Sequence, residues 1–208
     1  MSTVQEIINS FELYYDDGTA LSSAEELNLF NKIYFELCSD RPWEILRKTH
    51  TDTTSTTVPY IALPSDFTQL SVNSNYSTSD MEANTPVVFV GTNYTPYKVV
   101  SFADRRQYRT SSGYCYIDIV NNRLYFTIQP TTAESIEFDY IHTPEALTVS
   151  DTPIFPSRFH PYFYHRMVSD NFIIEQSDKA RSYAPENRIR AKEYLDSLCL
   201  WNSNLIVQ

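Results

Sequence analysis

The stretch that decides the fold is GYCYIDIVNNRLYFTIQ, residues 113–129. Polar and apolar side chains alternate on both sides of Asn121-Asn122, which is typical of two antiparallel strands joined by a tight turn. With the asparagines as a two-residue turn, the predicted opposed pairs are Val120 and Arg123, Ile119 and Leu124, Ile117 and Phe126, and Cys115 and Ile128. One face is then apolar and holds Cys115, Ile117, Ile119, Leu124, Phe126 and Ile128. We therefore expect a hairpin with one buried face.

Other segments around this hairpin also have the pattern of strands. Residues 135–141, SIEFDYI, alternate between apolar and acidic side chains, and the runs 87–90 and 97–102 are rich in β-formers. The core-facing side chains of the first segment are expected to be Ile136, Phe138 and Tyr140. Residues 103–108 favour a short helix. The pattern predicts an antiparallel sheet or sandwich in a domain inserted at 51–150.

Capping signals predict helices before this domain. Thr3-x-x-Glu6 and Ser22-x-x-Glu25 are capping boxes, in which a hydroxyl and a carboxylate satisfy the first free amides of a helix. Apolar side chains follow both at helical spacing. The sequence Asp-Asp-Gly at 16–18 resembles the start of a calcium loop, but Ala20 and Leu21 occupy its fifth and sixth positions, which need an Asp or Asn and then a Gly. A helix stop is therefore the favoured interpretation.

Prolines predict where the remaining helices start. Proline suits the first turn of a helix, so Pro42 predicts a third short helix and Pro161 a longer one. A last helix is expected after a break at 182–185. The fold class is thus α+β, with a helical bundle built from residues 1–50 and 151–208 as the base of the inserted β-domain.

The C-terminal tail is the first candidate for partner binding. Trp201 ends the predicted last helix, and the β-formers Leu205, Ile206 and Val207 follow it. An apolar tail in solvent is unfavourable. It is expected either to pack on its own domain or to dock on a partner, for example by adding a strand to a neighbour's sheet.

Composition and spacing argue against most catalytic chemistry. The glycines are too few and too scattered for a phosphate-binding loop, since only Gly18, Gly91 and Gly113 occur. The cysteines form no C-x-x-C pair and are expected to be reduced, buried side chains; they are Cys38, Cys115 and Cys199. His160 and His165 are five apart, which does not suit two metal ligands on one helical face. We expect no cofactor, no bound metal and no enzymatic activity.

Charge separates the remaining partner classes. The net charge of -10 opposes sequence-independent binding to nucleic acid. The exception is a cluster formed by Arg105, Arg106 and Arg109, which could hold a phosphate or an aromatic ring, or could be a solvated helix face. A looser basic band on the last helix could complement the acidic N-terminal helices, within one chain or between copies. The sequence has no signal peptide pattern and no apolar run long enough for a membrane span.

The link into the β-domain carries the most specific pattern. Residues 49–57 are almost all Thr, Ser and Asp, which suits either an edge strand or a connection. The motif YIALPSDF follows at 60–67. Its expected junction residues, together with the upstream tryptophan, are Trp43, Leu63, Pro64, Asp66 and Phe67. The proline keeps the preceding residue extended, the aspartate can cap local amides, and Phe67 is expected to fill the seam between helices and sheet.

In this order the segments resemble the head-to-tail adaptor, or connector, proteins of tailed bacteriophages, a broad group that includes tail tubular protein A and the ring proteins of crAss-like phages. The similar features are the paired N-terminal helices, the segment PWEIL at 42–46, the motif at 60–67, the inserted sheet and a proline-led helical pair from 155 onward. The similarity covers nearly the whole chain.

The resemblance implies a structural virion protein that is made in the host bacterial cytoplasm. Copies are expected to form a ring, usually of twelve, under the portal protein, to extend the DNA channel and to offer a platform for a downstream tail or nozzle protein. Acidic walls would let DNA pass without specific binding. Two rival classes stay open: a receptor-binding or carbohydrate-binding β-module, and a hydrolase whose carboxylate pair is formed only in the fold.

Overall fold

The computed structural model describes residues 2–14, 21–72, 86–175 and 178–206; for 172–175, 179, 180 and 206 it describes the backbone alone. The described residues form four α-helices and an eight-stranded mixed sheet, so the fold is of the α+β class. The chain divides into two compact units. The helical unit comprises Met1–Ile45 and Pro144–Gln208, and the sheet unit comprises Leu46–Thr143.

The helical unit contains α1 (Val4–Glu12), α2 (Ser23–Asp40), α3 (Pro161–Glu175) and α4 (Asp178–Ile206). Both predicted capping signals are confirmed. The Thr3 amide donates to the Glu6 carboxylate at 3.0 Å and the Glu6 amide donates to the Thr3 hydroxyl, while Glu25 accepts from the amide and the hydroxyl of Ser22. The predicted helix stop at 16–18 lies outside the described residues.

Aromatic rings form much of the interior of the helical unit. The Trp43 ring meets Phe155 edge to face at 5.4 Å, and the Phe30 ring lies 5.2 Å from Phe163. The indole N–H of Trp43, which is fully buried, donates to the Leu37 carbonyl at 2.6 Å. A buried indole with its donor satisfied stabilises the fold through both packing and hydrogen bonding.

Two predicted helix starts are wrong. After Pro42 the chain makes only a 3-10 turn, Glu44–Leu46, because the next residues leave the helical unit as a β-strand. The predicted break at 182–185 does not occur either, and α4 runs through Pro185. Packing overrides the local signal there: Ala184 and Asn187 are buried on either side of the proline, and Asn187 Oδ1 lies 2.6 Å from His165 Nδ1 of α3.

The sheet unit contains eight strands with the order β1-β8-β4-β5-β6-β7-β2, and β3 also pairs with β8. In chain order they are β1 Arg47–Thr53, β2 Tyr60–Ala62, β3 Phe67–Leu70, β4 Val87–Val90, β5 Thr95–Val99, β6 Tyr114–Asp118, β7 Arg123–Phe126 and β8 Ser135–His142. The Thr-rich stretch is thus an edge strand over most of its length, which is one of the two alternatives that its composition allowed. Its polar side chains suit a sheet edge.

The sheet is not wholly antiparallel, which corrects the prediction. Strands β5 and β6 are parallel, with Lys98 opposite Tyr114 and Val99 opposite Cys115. Residues 100–113 cross between them and include the 3-10 turn Asp104–Arg106, which confirms the predicted short helix in part. A parallel pair needs a connection of about this length, because the chain must return to the end of the sheet at which it started.

The predicted hairpin exists, but its register differs by two residues. Ile117 lies opposite Leu124 instead of Phe126, and the turn spans four residues, 119–122. The Asp118 carboxylate fixes this longer turn by accepting from the Asn121 amide at 3.2 Å and its side-chain amide at 2.8 Å, and the next residue takes a φ of 51°.

A shift of two preserves the faces of a strand, so most of the predicted core is correct. The buried set of the sheet unit includes Cys115, Leu124, Phe126, Ile136, Phe138 and Tyr140. The predicted core positions Ile119 and Ile128 are wrong, since they are 75% and 44% exposed. Ile119 lies in the turn, and Ile128 lies beyond the end of β7.

Candidate functional site

The arginine cluster lies at the 3-10 turn between β5 and β6. The Arg105 guanidinium lies over the Phe102 ring at 3.6 Å from its centroid and also donates to the Phe102 carbonyl. Arg106 and Arg109 are exposed, and neither has an ion-pair partner among the described residues. The cluster therefore presents positive charge together with an exposed aromatic ring.

A row of three tyrosines continues from this cluster across the solvent-facing side of the sheet. Tyr116 lies opposite Tyr125, and Tyr125 lies opposite Tyr60. The Tyr116 and Tyr125 ring centroids are 5.3 Å apart, and the Tyr125 and Tyr60 centroids 5.1 Å. Phe102 meets Tyr116 edge to face at 5.9 Å, which joins the row to the cluster.

A second arginine closes the other end of the row. The Arg123 guanidinium lies 4.0 Å from the centroid of the Tyr60 ring, and its Nη1 donates to the Tyr125 hydroxyl at 3.3 Å. We call the whole set the tyrosine-arginine face; it consists of Arg105, Phe102, Tyr116, Tyr125, Tyr60 and Arg123. Tyrosine and arginine are the residue types that dominate the energetics of protein interfaces.

The tyrosine-arginine face combines fixed positive charge with neutral hydroxyls. Burial raises the pKa of Tyr116, so its hydroxyl stays protonated and can donate a hydrogen bond. Hydrogen bonds from Asn121 lower the pKa of Asp118, which keeps one carboxylate ionised beside the row. Asp118 interacts electrostatically with both Arg105 and Arg123, but neither guanidinium has a carboxylate within ion-pair distance in the described chain, so both can bind a carboxylate of a partner.

Sequence reasoning found the three clustered arginines but missed the tyrosine row. The alternation did place Tyr116 and Tyr125 on the outer face. The predicted register, however, would have put Tyr125 opposite Asp118, so that no row formed. The pairing of Tyr60 with Tyr125 joins residues far apart in the chain, and no local signal indicates it.

The C-terminal candidates lie on α4, and no separate tail strand exists among the described residues. The prediction of a β-forming tail is therefore wrong for Leu205 and Ile206, which are helical, and Val207 lies outside the described residues. The helix continues because buried residues recur to its end: Leu198 and Asn202 are buried, and Asn202 Oδ1 accepts from the Glu44 amide at 2.8 Å.

Trp201 forms a second, smaller aromatic and cationic patch. Its half-buried ring lies 5.7 Å from Phe159, and the Arg158 guanidinium lies within 5.9 Å of the Trp201 centroid and 4.7 Å of that of Phe159. On the same helix, Leu200 is 69% exposed. The aromatic surface of this patch is limited to the Trp201 ring, because Phe159 is buried.

The predicted junction residues have ordered surroundings. Leu63 is buried, and the Asp66 carboxylate accepts from Lys48 Nζ at 2.7 Å and from the Tyr140 hydroxyl at 2.9 Å. The Phe67 ring stacks on Tyr140 at 5.8 Å. Asp66 thus connects Lys48 of β1 with Tyr140 of β8. The sequence predicted that Asp66 would cap local amides and did not indicate this contact. The predicted role of Phe67 at the seam stays a prediction.

The buried histidines do not lie in a metal cluster. His160 Nε2 lies 2.8 Å from the Phe155 carbonyl, and burial lowers the pKa of both His160 and His165. Within the described ranges, no group of three His, Cys, Asp or Glu side chains could hold a metal ion. A cleft of about 520 Å³ beside α4 is lined by His165, but its Glu186 and Arg190 form an ion pair with each other at 2.6 Å.

Comparison with known proteins identifies the family. None of the helices in the described part of the chain has the length and hydrophobicity of a membrane span. No curated protein matches the chain at a significant level. The family described as SU10 adaptor protein, however, matches residues 2–198, which is nearly the whole chain. The chain therefore belongs to the SU10 adaptor protein family and is a structural adaptor of a bacteriophage virion.

Proposed function

We propose that this adaptor is the subunit of a ring that docks beneath the portal protein, extends the DNA channel and carries the tail. The observation that carries the proposal is the family match over residues 2–198. In this proposal the four helices form a bundle, and the sheet unit is inserted in the sequence between the two parts of the chain that build it. A dodecameric ring and a likeness to tail tubular protein A or crAss-like ring proteins stay predictions of the same hypothesis.

The surface of the subunit supports an assembling role. The tyrosine-arginine face and the Trp201 patch both expose aromatic rings that are already in contact with guanidiniums. Ordered aromatic and arginine side chains bind a partner protein with little loss of conformational entropy. A single subunit leaves these surfaces to solvent, whereas neighbouring subunits, a portal or a tail protein would cover them.

The acidity of the chain suits a channel through which DNA moves. With a net charge of -10, walls built from its copies would repel phosphates and keep DNA from adhering. DNA is in this proposal a passing cargo and has no specific site. The partners are therefore further copies of the chain, the portal protein and a downstream tail protein.

The rival β-module function is less well supported by the geometry. Glycan-binding surfaces use aromatic ring faces that are open to the sugar. The rings of Tyr116 and Tyr125 are instead parallel within 5° and face each other at 5.3 Å, so they present edges and hydroxyls to solvent. For the rival hydrolase function, the cleft beside α4 is lined by the carboxylates of Glu186 and Glu193, but Glu186 is already ion-paired with Arg190.

The test is to mix the purified protein with the portal protein of the same virus. We expect rings that co-migrate with the portal in native mass spectrometry and that extend its channel in electron microscopy. The control is the protein alone, because subunits of this kind can stay monomeric until they dock. A protein that ignores its portal but binds glycans, or that hydrolyses a polymer, would contradict the proposal.

A further inference from the structure

The positive side chains of the sheet unit are concentrated beside the tyrosine-arginine face. The sheet unit carries seven Lys and Arg side chains, and four of them, Arg105, Arg106, Arg109 and Arg123, belong to the face or to the turn that starts it. The aromatic rings between the two end arginines are half-buried or, for Phe102, 46% exposed. A partner for this surface needs carboxylates and a small apolar contact.

The chain itself contains a segment with these properties. Of its 26 acidic and 16 basic side chains, nine acidic and only two basic ones lie in residues 1–45. Residues 144–208 are nearly balanced, with eight acidic and seven basic side chains. On α1 and α2, Glu6, Glu25 and Glu36 are exposed, although Glu6 and Glu25 also accept from the cap residues and Glu36 is ion-paired with Lys32 and Arg166. Leu13 at the end of α1 is 83% exposed.

We propose that the tyrosine-arginine face binds the acidic N-terminal helices, residues 1–45, of a second copy of this chain. The proposal rests on the proposed ring, since a ring that closes by rotation uses two different surfaces of each subunit, one facing each neighbour. An arginine-rich aromatic surface and a carboxylate-rich helical surface are complementary in this sense. Guanidiniums bind carboxylates through two parallel hydrogen bonds, and the tyrosine hydroxyls add neutral donors.

Nucleic acid is the weaker candidate for the same face. Asp118 lies opposite Arg123 in the strand register, and Asp104 lies within the arginine cluster. These two carboxylates disfavour any anionic partner, but a helix can place a few carboxylates opposite the guanidiniums alone. The phosphates of duplex DNA, about one per 1.7 Å of helix axis, would also lie against Asp118 and Asp104. Contact with DNA is therefore an outcome that the test must be able to detect.

The first experiment locates the occupant without changing any charge. A photo-reactive benzoylphenylalanine replaces Phe102, and nitrogen-14 and nitrogen-15 copies are mixed, assembled with portal protein in the presence of double-stranded DNA and irradiated. We expect cross-linked peptides that join position 102 of one copy to residues 1–45 of a copy with the other isotope. Cross-links to the portal, to DNA, to other parts of a neighbour, or none in formed rings, overturn the proposal.

The second experiment measures the contribution of the charges. The double variant Arg105→Glu/Arg123→Glu is compared with Arg188→Glu/Lys192→Glu, which reverses two exposed cations of the basic band on α4 and so tests the alternative in which that band binds the acidic helices. We expect the concentration for half-maximal ring assembly to rise at least about tenfold for the first pair and less than about threefold for the second. Equal effects overturn the proposal, and thermal unfolding of both variants shows whether each is folded.

The outcomes separate this inference from the proposed function. If the unmodified protein forms no ring with its portal, the proposed function and the inference both fail. If it forms rings that the arginine reversals leave unchanged and that cross-link elsewhere, only the inference fails.

Discussion

Tyr116 and Tyr125 lie directly opposite each other on β6 and β7, with their rings parallel within 5° and their centroids 5.3 Å apart. This pair stands on the solvent side of the sheet, where polar side chains would be expected. It holds Tyr60 and Phe102 in one row, and each end of the row carries a guanidinium over a ring. The pair therefore stabilises the sheet and also orders a surface.

Truncating the centre of this row should destabilise the protein. We expect Tyr125→Ala to lower the free energy of unfolding by about 1–2 kcal/mol, because it removes two cross-strand aromatic pairs, with Tyr116 and Tyr60, and each contributes about 0.5–1 kcal/mol. The control Tyr125→Phe keeps the ring and removes only a hydroxyl that accepts from Arg123 at 3.3 Å. Urea denaturation of both variants measures the difference. Equal losses for the two would show that the ring contacts contribute little.

Asp66 should stabilise the sheet unit in a pH-dependent way. Burial raises its pKa, but the hydrogen bonds from Lys48 and Tyr140 outweigh burial and hold the pKa below its ordinary value of 3.8. The stabilisation is therefore complete above pH 3.8 and is lost as the pH falls through the lowered pKa. We expect Asp66→Asn to cost about 1 kcal/mol near neutral pH, given that the ion pair is partly exposed.

The measurement for Asp66 is denaturation of both proteins across the acid range. The difference between wild type and Asp66→Asn should shrink as the wild-type carboxyl becomes protonated. A difference that stays constant down to about pH 2 would show that the carboxylate charge is not its source.

Three buried histidines should make the stability of the protein depend on pH in a range above that of Asp66. Burial lowers the pKa of His142, His160 and His165 below the ordinary value of 6.5. The unfolded chain then binds protons more readily than the folded one, so stability is complete above pH 6.5 and falls as the pH drops towards the lowered values. We expect a lower free energy of unfolding at about pH 5 than at about pH 7.5.

The variant His165→Gln tests how much of this pH dependence comes from His165. His165→Gln can keep a polar contact with Asn187 but cannot titrate. It should be less stable than wild type at neutral pH and should lose less stability on acidification. If the free energy of unfolding of this variant changed with pH as much as that of the wild type, His165 would not be a source of the pH dependence.

Local chemistry explains which parts of the fold were predictable. Thr3 lies three residues before Glu6, and Ser22 lies three residues before Glu25. Each capping pair is therefore visible in the local sequence, which indicates where the two helices start. The alternation in 113–129 likewise predicts two strands. The register could not be predicted, because it depends on Asp118 hydrogen bonding to Asn121, which lengthens the turn by two residues.

The features of the fold that the sequence did not predict depend on contacts between residues far apart in the chain. The parallel pairing of β5 with β6 depends on a crossover of residues 100–113, and α4 continues through Pro185 because of buried neighbours on both sides. In the candidate site, too, the part formed by neighbouring residues could be predicted and the part formed by distant strands could not. The arginine cluster is a local feature and was predicted, whereas the tyrosine row requires β2 to pair with β7 across more than sixty residues of chain.

Trp43 should be among the residues most sensitive to substitution in the helical unit. Its fully buried ring contacts Phe155, and its N–H donates to the Leu37 carbonyl. Trp43→Phe keeps an aromatic ring but leaves that carbonyl without this donor, so we expect a loss of about 1–3 kcal/mol. Trp43→Ala also leaves a cavity and should cost about 3–5 kcal/mol. Thermal and urea denaturation test both, and losses in the reverse order would contradict the assignment.

Pro185 offers the opposite test, a substitution that stabilises. It lies inside α4 with an exposed side chain, and a proline there cannot donate the backbone hydrogen bond that the helix interior uses. We expect Pro185→Ala to raise the free energy of unfolding by about 1–3 kcal/mol. Proline is about 3 kcal/mol less favourable than alanine in a helix, and the loss of proline's restriction on the unfolded chain offsets part of that gain. The matched control is Arg188→Ala, at another exposed position of the same helix, which should change stability by less than about 0.5 kcal/mol. If Pro185→Ala lowered stability instead, the proline would be a packing element of α4 and the helix would not be strained there.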